Sequence, residues 1–295
     1  MPTKTVIPIP PAYDSRGRLD FFATTSYLEY LEFQGVITVM TTAGTSQFNL
    51  LSTNEVHLFN ETVASNFDGD KILGIPALST TAARDFIDTA EEYASGRTNF
   101  MALYPDRFYS SDTIVRYVSE LRERSSRPLY LHGMFMRSGT GGMWNYTPEV
   151  VNEMAGGTML AGLKEEVQNL ASGYNFVKGL DGSLDVIVAG GSMRRHQYLK
   201  TAGANAFLGG IGNLFPGIEL AYCQRVDEGL PIDAQLDLES RLFGVFMKLG
   251  WHRSLRIGLS KLGLTCQHDR QPWPQRDKES QMAIENIIEE LVNET

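Results

Sequence analysis

Gly157-Thr158-Met159-Leu160-Ala161-Gly162-Leu163-Lys164-Glu165-Glu166 reads as a short buried strand that stops on a cation. Residues 159–163 are apolar or small throughout, long enough for a strand and too short for an ordinary helix. Lys164 therefore ends a buried element. An amine held in such a place loses solvation, which draws its pKa down toward neutrality. A neutral lysine amine is what Schiff-base chemistry on a carbonyl requires. The same residue could also cap the strand and pair with Glu165 or Glu166, and this stretch alone does not separate the two roles.

Working outward, the chain alternates strand-like and helix-like segments on both sides of this lysine. Toward the amino end, strands are expected at residues 128–132, 99–103, 71–75, 36–40 and 6–8. Toward the carboxyl end they are expected at 184–189 and 206–209. Helical spacing falls between them, at 20–34, 80–95, 112–124, 147–154, 165–172, 193–201 and 214–228. A further helix, from residue 52 to about 65, opens on Ser52-Thr53-Asn54-Glu55, which has the capping-box form. Strands that alternate with helices pair in parallel, and eight such units over about 225 residues close into a (β/α)8 TIM barrel of the α/β class. Beyond about residue 231 the strand pattern stops. Residues 234–249, 254–262 and 277–292 read as helices, with a linker at Gln271-Pro272-Trp273-Pro274-Gln275. The expected division is a barrel over 1–230 and a small all-helical C-terminal extension over 231–295.

The bulk properties fit one such domain. The chain has 295 residues, 42% of them hydrophobic. A net charge of −9 and a pI near 5.1 argue against a general basic face for nucleic acid. No stretch approaches the roughly 18 uninterrupted apolar residues of a membrane span, and no signal-peptide pattern is visible at the start. The two cysteines, Cys223 and Cys266, lie far apart and read as free thiols in a reducing, cytoplasmic setting. His252 and His268 lack metal-ligand spacing. The glycine-rich 138–142 stretch lacks the ending of a phosphate-binding P-loop.

In a barrel of this kind the chemistry sits at the carboxyl ends of the strands. Lys164 is the one lysine expected there. Lys71 starts its strand, and Lys178, Lys200, Lys248 and Lys261 fall in helices or connections. Position thus favours Lys164 as a nucleophile.

Four segments carry a resemblance that runs nearly the whole length. Ala161-Gly162-Leu163-Lys164-Glu165 resembles a strand bearing a Schiff-base lysine. Gly44-Thr45-Ser46-Gln47-Phe48 with Leu51-Ser52 resembles a loop that binds the carboxylate of a 2-oxo acid. Arg137-Ser138-Gly139 and residues 209–216 resemble the segments after strands five and eight. Together they resemble the dihydrodipicolinate synthase / N-acetylneuraminate lyase family of class I, Schiff-base aldolases. The resemblance implies that Lys164 forms a covalent imine with pyruvate or another 2-oxo acid, with no separate cofactor and no metal. It implies substrate binding by Thr45, Ser46, Arg137, Gly190 and Phe207, and assembly as a homodimer or homotetramer. Thr45 and nearby N–H groups would hold a carboxylate through charge-assisted hydrogen bonds, with Thr41 and Thr42 as substitutes if the register slips around Ala43. Arg137 would clamp a second carboxylate. Gly190 would let backbone approach the ligand, or simply make the strand-to-helix turn.

The departures concern proton transfer. His132 stands where the family has a tyrosine that relays the substrate's proton. Histidine can do acid–base work near neutral pH. Tyr104 and Tyr109 are neighbouring aromatics without a secure match to the family's second tyrosine, and Gln47 stands where glutamate is common. The expected activity is carbon–carbon bond cleavage or formation through the imine. Dehydration of a 2-oxo-3-deoxy sugar acid through the same intermediate is the alternative, as is a non-catalytic barrel that binds a 2-oxo acid.

Overall fold

A computed structural model describes residues 2–103, 110–133, 147–156, 160–273 and 276–294. Arg137, the 138–142 stretch, Tyr104 and Tyr109 lie outside the described residues. The strands are β1 (Lys4–Pro8), β2 (Thr38–Met40), β3 (Asp70–Ile75), β4 (Thr98–Leu103), β5 (Leu129–His132), β6 (Leu160–Glu165), β7 (Asp185–Val188) and β8 (Ala206–Leu208). In chain order they form a closed barrel. The pairs β1–β2 and β3–β4 through β7–β8 are parallel. Among the described residues the helices are α1 (Phe21–Phe33), α2 (Thr53–Ser65), α3 (Thr80–Tyr93), α4 (Ser111–Arg124), α5 (Pro148–Ala155), α6 (Leu170–Lys178), α7 (Ser192–Leu199) and α8 (Pro216–Glu228). After these come α9 (Asp233–Leu249), α10 (Trp251–Lys261) and α11 (Lys278–Val292). The expected (β/α)8 barrel with C-terminal helices is what the chain builds.

One helix differs from its expected place. The acidic pair Glu165-Glu166 looked like a helix start at 165. Instead Glu165 ends β6, and α6 starts five residues later, capped by the Asn169 side chain on the Ser172 N–H. The interior Gly173 hid this helix, since glycine is a poor helix former.

By internal contacts the chain forms two compact units. One runs Asp70–Leu208; the other joins Pro2–Gly69 to Gly209–Thr295. In the first, β6 shows two faces, because successive strand residues point oppositely. Glu165 points to the helix layer, where Arg195 of α7 grips its carboxylate at 2.7 Å and also donates to Val167 O. Gly162 and Lys164 share the opposite, interior face. There Gly162 is in register with both Tyr130 and Asp185, and the Tyr130 hydroxyl donates to Asp185 at 2.8 Å. A Cβ on Gly162 would lie against the Asp185 carbonyl oxygen and 2.7 Å from the Tyr130 ring. A glycine there lets the flanking side chains meet across the strand.

In the second unit, buried polar groups tie β1 to the carboxyl-terminal segment. Glu219 of α8 is fully buried; it accepts from the Thr5 hydroxyl at 2.5 Å and the Gly210 N–H at 2.7 Å. Asp227 accepts from the Thr3 N–H. Arg256 of α10 is buried and donates to Asp269, to Pro11 O and to His268 O. Each supplies charge-assisted hydrogen bonds that offset desolvation. Cys223 and Cys266 are buried free thiols. Among the described residues no helix is long and apolar enough to cross a membrane, and no three or more His, Cys, Asp or Glu side chains are grouped to hold a metal ion.

Two expectations follow from β6. Gly162→Ala should overpack the interior face and cost about 1–3 kcal/mol, read as a lower denaturation midpoint; an unchanged midpoint would show that the flanking backbone yields there. Arg195→Met should leave the Glu165 carboxylate buried without its cation, costing about 3–5 kcal/mol at neutral pH. Burial already pushes the Glu165 pKa up, with Arg195 pulling it back. Without Arg195 the folded protein holds that proton where the unfolded chain has lost it, so the loss should grow as the pH rises above the ordinary carboxylate range. Denaturation midpoints at pH 5 and pH 8 check this; an equal loss at both would contradict it.

Candidate active site

Two lysines are buried among the described residues, Lys71 and Lys164. Lys71 is in register with Thr98, the first residue of β4, at the amino ends of the strands. Lys164 lies near the carboxyl end of β6, in register with His132, the last residue of β5. Position in the barrel thus separates the two.

Register then dictates the side-chain geometry. Paired residues on adjacent strands share a face, so the His132 and Lys164 side chains stand side by side. Nζ of Lys164 lies 2.6 Å from Nε2 of His132. Glu166, two residues past Lys164, returns to the same face. Its Oε1 pairs with Nζ of Lys164 and lies 3.1 Å from Nε2 of His132. All three residues are at least 93% buried. Of the two carboxylates that could have paired with Lys164, Glu166 does so and Glu165 turns away to Arg195.

This cluster changes the electrostatics expected from sequence. Burial alone favours a neutral amine, while a touching carboxylate favours the ammonium. What the cluster brings together is an imidazole nitrogen, Nε2 of His132, in hydrogen-bond contact with the amine, and a carboxyl group beside both.

The loop between β2 and α2 belongs to the other compact unit. It coils tightly: Ser46 N–H donates to Thr42 O, Gln47 N–H to Gly44 O and Phe48 N–H to Ala43 O. The Ser46 hydroxyl donates to Ile9 O at 2.6 Å and accepts from the Thr42 N–H at 2.9 Å. Ser46 therefore braces the loop. Gln47 takes the left-handed conformation, φ 52°, and accepts at 3.2 Å from the hydroxyl of Tyr13. The Tyr13 ring lies 5.0 Å from the Arg256 guanidinium and 5.7 Å from that of Arg270, which pairs with Glu55 of the capping box. Burial pushes the Tyr13 phenol up to about 12, with the two arginines pulling the other way. The Thr41 hydroxyl donates to Asn60 at 2.7 Å. Thr45 is buried. Thr42 is buried too, and its hydroxyl has no hydrogen-bond partner among the described residues. A buried hydroxyl normally finds a partner, so Thr42 has hydrogen-bonding capacity left.

Two of the remaining expected residues are described. Gly190 takes φ 77° in the turn after β7, a conformation that glycine adopts without strain. Phe207 on β8 is fully buried, with its ring 5.3 Å from His196 of α7. Arg137 lies outside the described residues. Glu166 and Tyr13 were missed as site residues. A period of two carried one step past Lys164 would have flagged Glu166, but a helix was expected to begin at residue 165. Tyr13 is distant in sequence from the loop it braces, and no local pattern marks it.

Several solved structures share this architecture. The dihydrodipicolinate synthase of Oceanobacillus iheyensis superposes with a TM-score of 0.83 at 18% identity, over 99% of this chain and 97% of that one. YagE of E. coli K12, a prophage protein of the dihydrodipicolinic acid synthase family solved in complex with pyruvate, gives 0.82 at 14% identity, over 98% of each chain. CdNal of Clostridium difficile, solved with mannosamine, gives 0.82 at 13% identity, over 98% of this chain and 99% of that one. At these identities the likeness is one of fold. A sequence comparison with curated proteins finds no match. The family model described as the Dihydrodipicolinate synthetase family matches residues 2–291, so on a match spanning nearly its full length the chain belongs to that family.

Proposed function

We propose that the protein is a class I lyase in which Lys164 forms an imine with pyruvate or another 2-oxo acid, so that a carbon–carbon bond can be made or broken beside it. The observation that carries this reading is the contact of Nζ of Lys164 with Nε2 of His132 at the carboxyl end of the barrel strands. Family membership and the pyruvate complex of the E. coli relative support it. A barrel that only binds a 2-oxo acid needs no buried amine beside a base.

The chemistry balances with these groups. The lysine nitrogen starts as an ammonium with three protons and ends as an iminium with one. The carbonyl oxygen leaves as water, carrying the other two protons. The nitrogen lone pair forms the bond to carbon as the carbon–oxygen π pair moves to oxygen. Loss of the oxygen as water then leaves the carbon–nitrogen double bond. His132 can take each proton from nitrogen and deliver it to oxygen. The iminium then draws electrons from the neighbouring carbon and stabilises the enamine.

Incubation with pyruvate and borohydride, followed by peptide mass spectrometry, should place a reduced adduct on Lys164. No adduct there with pyruvate or a panel of 2-oxo acids would overturn the imine. Identifying the products of a 2-oxo-3-deoxy sugar acid then separates cleavage from dehydration. His132→Ala should slow adduct formation about 10²–10⁴-fold, and an unchanged rate would make the histidine structural.

A further inference from the structure

Glu166 has no part in the imine step as written above, yet it is the residue that touches both groups that trade protons. Its Oε1 contacts Nζ of Lys164 and Nε2 of His132, and Nζ and Nε2 contact each other. Three buried groups in mutual contact cannot take arbitrary charges, because an uncompensated charge there is strongly disfavoured.

We propose that Glu166 is the fixed counter-ion of a single positive charge that moves between Lys164 and His132 during imine formation. The inference rests on the imine reading above and adds a residue to it. With the proton on Nζ, the ammonium donates to Oε1 and to a neutral Nε2. Moving one proton to Nε2 gives an imidazolium that donates to Oε1, and a neutral amine with its lone pair available. The iminium that follows carries the same single charge on the same nitrogen. Every state is one cation beside one carboxylate, so no step separates charge in the buried site. Lys164 therefore becomes nucleophilic by local proton transfer and not by desolvation alone.

Two neighbouring carboxylates have partners of their own. On the opposite face of β6, Glu165 is held by Arg195. Two residues toward the strands' amino ends, Tyr130 donates to Asp185 across Gly162. Glu166 is in contact with both members of the pair.

Glu166→Gln keeps the shape and removes the charge. The chain has five histidines, so His132 can be followed by imidazole NMR, its signal assigned by loss in His132→Gln. Losing an adjacent anion disfavours a cation, so the apparent His132 titration should move about 1–3 pH units lower. Glu166→Asp should keep it near the wild-type position, and the signals of the other histidines should stay in place. The pH profile of borohydride-trapped adduct formation should move in the same direction in Glu166→Gln, and the rate at neutral pH should fall at least tenfold. A merely structural glutamate would change the rate without displacing either curve. If the glutamine chain does not fold, Glu166→Met removes the charge without burying a new polar group. The same His132 titration in wild type and in a folded, charge-free variant overturns the counter-ion assignment, whatever the adduct shows. A wild-type chain that forms no adduct overturns the imine reading instead, and the histidine titration then stands alone as the test of Glu166.

Discussion

A lysine ammonium buried at the end of a strand must be neutralised or paired, and that requirement organises one corner of this barrel. Desolvating a single charge costs several kcal/mol even after the protein relaxes. The chain meets the constraint by returning Glu166 to the face of Lys164 and by setting His132 opposite on the next strand. The result is an amine, an imidazole and a carboxyl group in mutual contact. A barrel interior that only had to be stable would fill this space with apolar side chains, which often serve stability as well or better.

The neighbouring residues keep that cluster in register. Strand alternation on β6 sends Glu165 outward to Arg195 and leaves Lys164 facing in. A one-residue slip would exchange the two, placing a carboxylate where the amine now stands. The buried pair Glu165–Arg195 therefore fixes register as well as contributing to stability. Gly162 has a related role: the missing side chain lets Tyr130 reach Asp185 over the strand. In the other compact unit, Ser46, Gln47 and Tyr13 hold the loop after β2 in one coiled conformation. The Thr42 hydroxyl has no hydrogen-bond partner among the described residues.

The barrel was legible in the sequence because each strand is a short apolar run bounded by a helix signal, and such alternation admits few topologies. Lys164 was legible for the same reason, since counting strands placed it at the catalytic end. His132 was reached by its place at the end of the fifth strand. The carboxylate partner was narrowed to Glu165 or Glu166, and the choice stayed open because the pair was read as the start of a helix, whereas Glu165 ends the strand and Glu166 extends it. The hydrogen-bond capacity of the loop was not legible. Thr45 and Ser46 carried the resemblance, but the Ser46 hydroxyl is consumed by Ile9 and Thr42. Hydrogen-bond capacity left unspent depends on the whole local network, which linear spacing does not encode.

The central claim is that the Lys164 nitrogen, held between a base and a carboxylate, is the atom that bonds the substrate carbonyl. A crystal structure formed in the presence of pyruvate tests it most directly. The account predicts continuous density from Nζ of Lys164 to the second carbon of the ligand, with Glu166 still against that nitrogen. Pyruvate bound beside an unmodified amine, or bound away from the end of the sixth strand, would contradict it.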